Sequence, residues 1–148
     1  MQIRLIEAHE LDTLLDLYQH LHPQDAPLPP RPQLEGLWRR IMSNPDYRYF
    51  GVYEQDVLVA SCCLNLIANL TRGCRPYGLI ENVVSHAAYR RRGYGQALLA
   101  RALDNAWAEG CYKVMLMTSS LDPATLRFYR AAGFDQDAKQ ASIARPPA

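Results

Sequence analysis

A chain of 148 residues is long enough for one compact domain with a real core and leaves little room for a second. Its composition, 49% hydrophobic and 21% charged, is that of an ordinary soluble globular protein, and no run of 18 apolar residues marks a membrane span. A formal net charge of +1 gives no global pull toward nucleic acid or an anionic membrane, so any electrostatic recognition must be local.

The first residues, "QIRLIE" (2–7), alternate polar and apolar as a half-buried strand does. Acidic residues enter early, so the start does not read as a signal peptide. From Glu10 to Leu21 the positions Leu11, Leu14, Leu15, Tyr18 and Leu21 recur at helical spacing. The prolines of "HPQDAPLPPRPQ" predict a loop, and "LEGLWRRIMS" predicts a short helix ending near Asn44 and Pro45. Two β-rich runs flank "EQD" in "YRYFGVYEQDVLVASCCLNLIA", which reads as a hairpin. A turn-rich "NLTRGCRPYG" leads into a strand over "LIENVVS" (79–85).

A helix follows from about Gly93 to Glu109, its apolar face formed by Leu98, Leu99, Ala102, Leu103, Ala106 and Trp107, with Arg101, Asp104 and Asn105 facing out. Gly110 is its stop. "YKVMLMTS" (112–119) reads as another strand. "PATLRFYRAAGF" reads as a helix with Pro123 at its start and Gly133 at its end. "KQASIAR" reads as a closing strand, and residues 145–148 as a tail. The four cysteines, Cys62, Cys63, Cys74 and Cys111, form no C-x-x-C pair. They read as reduced thiols of a cytoplasmic protein and not as a metal site.

The chemistry-bearing stretch is "YRRRGYGQALLARAL", residues 89–103. A helix N-terminus offers unpaired N–H groups and the positive end of the macrodipole. Glycines let a phosphate approach the backbone, and arginines just upstream add charge. The same residues also suit a helix start with a solvated basic turn. Two phosphate motifs are excluded. The dinucleotide pattern G-x-G-x-x-G would need glycine where Leu98 stands, and a Walker loop would need Gly-Lys-Ser/Thr.

Arg90-Arg91-Arg92-Gly93-Tyr94-Gly95 matches (Q/R)-x-x-G-x-(G/A), and in this it resembles the pyrophosphate loop of the GCN5-related N-acetyltransferase (GNAT) family. "ENVVSHAAYRRRGYGQALL" is similar to that family's fourth strand, loop and third helix, and "LRFYRAAGFD" to its late helix. In detail the resemblance spans roughly residues 79–135. It implies an α/β (α+β) single-domain fold over 1–148. The central sheet is mixed, mostly antiparallel and twisted, with two splayed parallel strands and about four flanking helices.

The resemblance also implies an acetyl-CoA-dependent N-acetyltransferase, moving an acetyl group to a primary amine of a small molecule or peptide by direct attack. No metal, nucleic acid or membrane is implied. The splayed strands would be 79–85 and 112–118. Val83, Val84 and Ser85 would meet the pantetheine arm, and a strand amide near Val84 would receive the oxyanion. The amides of Arg91, Arg92, Gly93, Gly95 and Gln96 would hold the pyrophosphate, with Arg90 at the motif's first position. Asp122 stands where the family often has Asn, seven residues before the family's tyrosine, here Tyr129.

Glu81 is the candidate base and Tyr129 the candidate acid for the departing thiolate; His86 and Cys111 are secondary candidates. Structural duties compete for both: an arginine partner for Glu81, core packing for Tyr129. A non-catalytic acyl-CoA-binding sensor with the same fold is the rival reading. For the acceptor, Asp25 and Glu35 suit a cationic amine, and Arg31, Arg72 and Arg75 an acidic one. The short segment after Phe134 points to a homodimer, which would cover an open sheet edge.

Overall fold

The alternation at the N-terminus does make a strand, and the two runs after Pro45 make the predicted hairpin. The computed structural model describes all 148 residues. Its elements are β1 (Gln2–Leu5), α1 (Leu11–Tyr18), α2 (Arg31–Ser43), β2 (Tyr47–Glu54), β3 (Val57–Ile67), β4 (Tyr77–Ser85), α3 (Tyr94–Ala108), β5 (Val114–Leu116) and α4 (Pro123–Ala131). Short 3₁₀ turns stand at Ala8–Glu10 and Ala87–Tyr89. The strands form one mixed sheet in chain order, antiparallel from β1 to β4 and parallel between β4 and β5.

Two compact units divide the chain, Met1–Leu116 and Met117–Ala148. The first holds the sheet and α1 to α3. On one face α3 buries Leu98, Leu99, Ala102 and Ala106, all four completely. That stripe is narrower than the sequence suggested. Trp107 is 49% exposed, and Asn105 is half-buried, where it accepts from Arg48 Nη1 at 2.7 Å. The opposite face carries Ile6, Leu11, Leu14, Leu17, Leu34, Trp38, Tyr53, Leu58 and Val84 as one cluster, with α1 and α2 supplying most of it.

Local rules explain most boundaries. Gln55 and Asp56 both take left-handed φ, 48° and 66°, so a two-residue type I′ turn joins β2 to β3. α2 starts at Arg31, inside the expected loop, because Pro32 sits in the first turn where its missing N–H costs nothing. β5 keeps only three of the residues read as strand. In the second unit Asp122 caps α4 by accepting from Ala124 N at 2.9 Å, and Pro123 opens the helix. The closing strand expected at 139–145 is absent. Those residues are exposed and form neither helix nor strand, and with Ile143 as their one large apolar side chain they have little apolar surface to bury.

A buried carboxylate ties α1 to the sheet. Glu10 accepts two hydrogen bonds from Arg4, at 2.9 and 3.0 Å, one from Tyr53 at 2.9 Å and one from the Glu7 amide at 2.7 Å. Arg4 also stacks 3.9 Å from the Tyr53 ring centroid. The Arg4 hydrogen bonds hold the Glu10 carboxyl down at about 2, against 4.5 ordinarily. A depressed carboxylate stabilises the fold fully above its unfolded value and loses that contribution as pH falls toward the folded one. Glu10→Gln should therefore cost about 1.5–3 kcal/mol at pH 7, the worth of hydrogen bonds to a charged group. In thermal melts the gap to the parent should close between pH 4.5 and about 2; a gap of constant size down to pH 2 would contradict this account.

Candidate active site

The site begins with the register of β4. Cys63 lies opposite Glu81, but Ser61 lies opposite Val84, so one extra residue is accommodated in β4. Asn82 makes that bulge, with φ of 53° in the left-handed region. Asparagine is one of the few residues with a Cβ that tolerates this conformation. The bulge reverses the alternation, so Glu81 and Val84 both project to the face that α1 covers. Tyr18 of α1 is hydrogen-bonded to the Asn82 side chain, and burial raises the Tyr18 phenol well above its ordinary pKa.

Beyond the bulge β4 has one partner only. β5 pairs with Gly78, Leu79 and Ile80 and then stops. From Glu81 to Ser85 the second edge of β4 faces no strand. Alternate backbone groups of an antiparallel strand point away from its partner, so part of this edge is left for a ligand. The expected splaying is thus present, and it starts after the third pair.

Glu81 is half-buried, and no arginine pairs with it; its carboxylate makes no ion pair. Beside it, burial pushes the Cys63 thiol up to about 11, and the Glu81 charge adds to the rise. Cys63 donates to Asn65 Oδ1 at 3.4 Å and is hydrogen-bonded to Tyr49, whose phenol is also raised by burial. The thiol is therefore neutral and structural.

The loop after β4 is held from two sides. His86 Nδ1 accepts from Ala88 N at 3.1 Å, and His20 Nδ1 accepts from Ala87 N at 3.3 Å. The two imidazoles lie 4.0 Å apart by ring centroid. Arg90 donates to Ser85 O at 3.4 Å and to His20 O at 3.3 Å. Desolvation, His86 and Arg90 all lower the His20 pKa, which keeps Nδ1 available as an acceptor. Arg92 lies 5.1 Å from the Tyr89 ring, and Tyr94 donates to Glu54 Oε2 at 3.0 Å. Of the three arginines, only Arg91 has a side chain with no protein partner, and its own φ is 63°.

Gly93 caps α3 with φ of 81° and no side-chain cap, so the first-turn amides of Tyr94 and Gly95 have no intrahelical acceptor. A Cβ at Gly93 would meet no protein atom within 4 Å. The glycine is needed for its conformation and for the space in front of the loop. Gly95 lies inside the first helical turn.

Sequence reasoning missed Asn82, Tyr18, Tyr49 and His20. The signal for Asn82 was a polar pair, Glu-Asn, interrupting an apolar strand; the other three are brought in by tertiary contact. Of the sequence candidates, Glu81, Val83, Val84, Ser85, Arg90, Arg91, Arg92, Gly93, Gly95 and Gln96 run continuously from β4 into α3. His86 is tied up in capping. Cys111 is buried beyond the far end of α3, roughly 22 Å of helix from the loop. In the second unit, Tyr129 meets Phe128 and Phe134 edge-on, at 5.0 and 6.3 Å.

Residues 11–134 match the Acetyltransferase (GNAT) family. The chain belongs to that family. The acetyltransferase is 30% identical over 141 residues to the glucosamine 6-phosphate N-acetyltransferase of Trypanosoma brucei brucei, covering 95% of this chain and 92% of that one. A solved putative acetyltransferase from Agrobacterium tumefaciens str. C58 superposes with a TM-score of 0.90 at 36% identity, over 98% of this chain and 100% of that one. The same fold, at 19% identity and a TM-score of 0.79 over 99% and 98% of the two chains, appears in AAC(6')-Iy bound to a CoA-containing bisubstrate analog. The protein is an acetyl-CoA-dependent N-acetyltransferase.

Gly93→Val and Gly95→Val should each abolish acetyl-CoA binding in calorimetry. Gly93→Val should also lower stability by about 1–2 kcal/mol, because valine must adopt a left-handed backbone. Gly95→Val should cost less, since the backbone there is helical. Wild-type acetyl-CoA affinity in a folded Gly95→Val chain would contradict the phosphate-loop assignment.

Proposed function

We propose that this acetyltransferase acetylates the primary amine of a small molecule, an aminosugar first among candidates, by direct attack in a ternary complex. The observation that carries the reading is the half-buried Glu81 carboxylate, without an ion-pair partner and next to the open edge of β4. The Trypanosoma relative's own acceptor supports the aminosugar class.

An amine of pKa about 10.4 arrives protonated at neutral pH and must lose a proton before it attacks. Glu81 takes that proton, directly or through water. The amine lone pair then attacks the thioester carbonyl carbon. The C–N bond forms, and negative charge gathers on oxygen, where an amide near Val84 stabilises it. Collapse breaks the C–S bond, and the leaving thiolate needs a proton. Tyr129 is assigned that role because it stands at the family's tyrosine position, seven residues after Asp122. Val83, Val84 and Ser85 receive the pantetheine arm as an added strand. The amides of Arg91, Arg92, Gly93, Gly95 and Gln96 receive the pyrophosphate. Arg91 is the free guanidinium for a further phosphate, whereas Arg90 acts as a strut. Asp122 contributes to the cofactor site chiefly by capping α4.

An amine panel with thiol-release detection tests the reading. With an active amine, Glu81→Gln should lower kcat/KM by about 10²- to 10⁴-fold at neutral pH, with the deficit shrinking toward the amine's own pKa. Tyr129→Phe should lower kcat and spare acetyl-CoA affinity, since the thiolate exists only late in the reaction. Equal turnover by Glu81→Gln at pH 7 would remove Glu81 from the mechanism.

We also place the protein in the cytoplasm, on its four free cysteines, and as a homodimer, on the three-residue edge strand β5. Light scattering should give twice 16.8 kDa; the single-chain mass at high concentration would count against the dimer.

A further inference from the structure

Tyr112, at the head of β5, is ringed by three cations. Arg72 lies 5.9 Å, Arg75 5.7 Å and Lys113 Nζ 5.1 Å from its ring centroid. Lys113 Nζ is also 5.2 Å from the Tyr77 ring, and the two tyrosines meet edge-on at 6.3 Å. No carboxylate answers this charge, because none of the three cations makes an ion pair. Arg31, the third arginine the sequence offered for an acidic acceptor, is already taken by Asp12 and Glu35.

The loop that presents Arg72 and Arg75 is built at a cost. Arg72, Gly73 and Cys74 are successively left-handed, with φ of 58°, 71° and 58°. A residue with a Cβ adopts that conformation only under strain. The loop's own hydrogen bonds hold it there. Asn69 Nδ2 donates to Thr71 O at 3.0 Å and to Arg75 O at 3.4 Å, Cys74 N donates to Thr71 O at 3.1 Å, and Arg75 Nε donates to Arg72 O at 3.1 Å. Strain retained in this way clusters where a ligand is clamped.

The sheet puts two members of this cluster, Tyr77 and Lys113, on the same face as Glu81. A side chain at Gly78 would collide with Leu64 and Val114, so those three positions share the α3 face. Tyr77, Leu79 and Glu81 therefore share the opposite face, and Lys113 and Met115 join them from β5. Lys113 stands level with Tyr77, about 13 Å of backbone from Glu81 along the same face.

We infer that Arg72, Arg75 and Lys113 bind a phosphate group on the acceptor while its amine lies at Glu81. The substrate class is then small phosphorylated amines. Three cations suit a phosphate dianion better than a carboxylate, and guanidinium groups match its oxygens in pairs. The inference rests on the acetyltransfer reading above for the amine end, and on the cluster itself for the anion.

The test uses D-glucosamine 6-phosphate and D-glucosamine with the full chain. Arg75→Gln and Lys113→Met should each raise KM for the phosphorylated amine by about tenfold, the worth of one charge-assisted hydrogen bond. Acetyl-CoA affinity and kcat/KM for D-glucosamine should stay within about twofold of the parent. Amide NMR on the chain without acetyl-CoA supplies a readout that needs no turnover: millimolar inorganic phosphate or D-glucosamine 6-phosphate should shift residues 72–77 and 112–113. Such shifts uphold the anion site even if neither sugar is acetylated, and turnover failure then counts only against the acceptor reading. Unmoved resonances, equal effects of the variants on both amines, or saturation only by a polyanion such as heparin would each overturn the inference.

Discussion

A backbone group on a strand must find a partner, and one edge of β4 is left without a strand beyond Ile80. β5 pairs with three residues and ends, while β4 runs on for five more. The Asn82 bulge sits at that point of departure. It bends the strand and brings Glu81 and Val84 to one face. The open edge, the position of the carboxylate and the direction of the following loop all depend on this break in pairing. An exposed edge is ordinarily a liability, so its retention here is best understood as a place kept for an extended ligand.

The rest of the site is arranged around that edge. α1 reaches over it with Tyr18 on Asn82, and its end is clasped to the loop after β4 by the His20–His86 pair and by Arg90. The clasp joins the end of α1 to the loop after β4 through hydrogen bonds accepted by the two imidazoles and by His20 O. It also explains why three adjacent arginines are not equivalent. Arg90 is a strut, Arg92 lies beside Tyr89, and Arg91 is left to the solvent. A near-neutral protein thus concentrates positive charge at two local points, the mouth of α3 and the ring of Tyr112.

Elements with strong local codes were legible in the sequence. The hairpin at 47–67, the helix from Gly93 and the glycine-arginine loop follow from alternation, periodicity and the needs of a phosphate. The α4 helix was marked by Pro123 and Gly133. What was illegible depends on partners distant in sequence. Nothing in "YKVMLMTS" says that pairing stops at Leu116, because the strand is ended by the divergence of β4. The polar Glu81-Asn82 pair interrupts the apolar run, but that it marks a bulge is seen only in the register with β3. Trp107 fits the apolar face of α3 by spacing, yet the contact surface is narrower and leaves it out. The expected strand at 139–145 has the alternation but too little to bury.

The central claim is that the unpaired edge of β4 and the mouth of α3 form one acetyl-CoA site. Amide hydrogen exchange with and without saturating acetyl-CoA tests it most directly. The account predicts slowed exchange in two segments together, residues 82–85 and residues 91–96, with β1 and the β2–β3 turn unchanged. Protection of the α3 segment alone, with 82–85 exchanging as before, would contradict it.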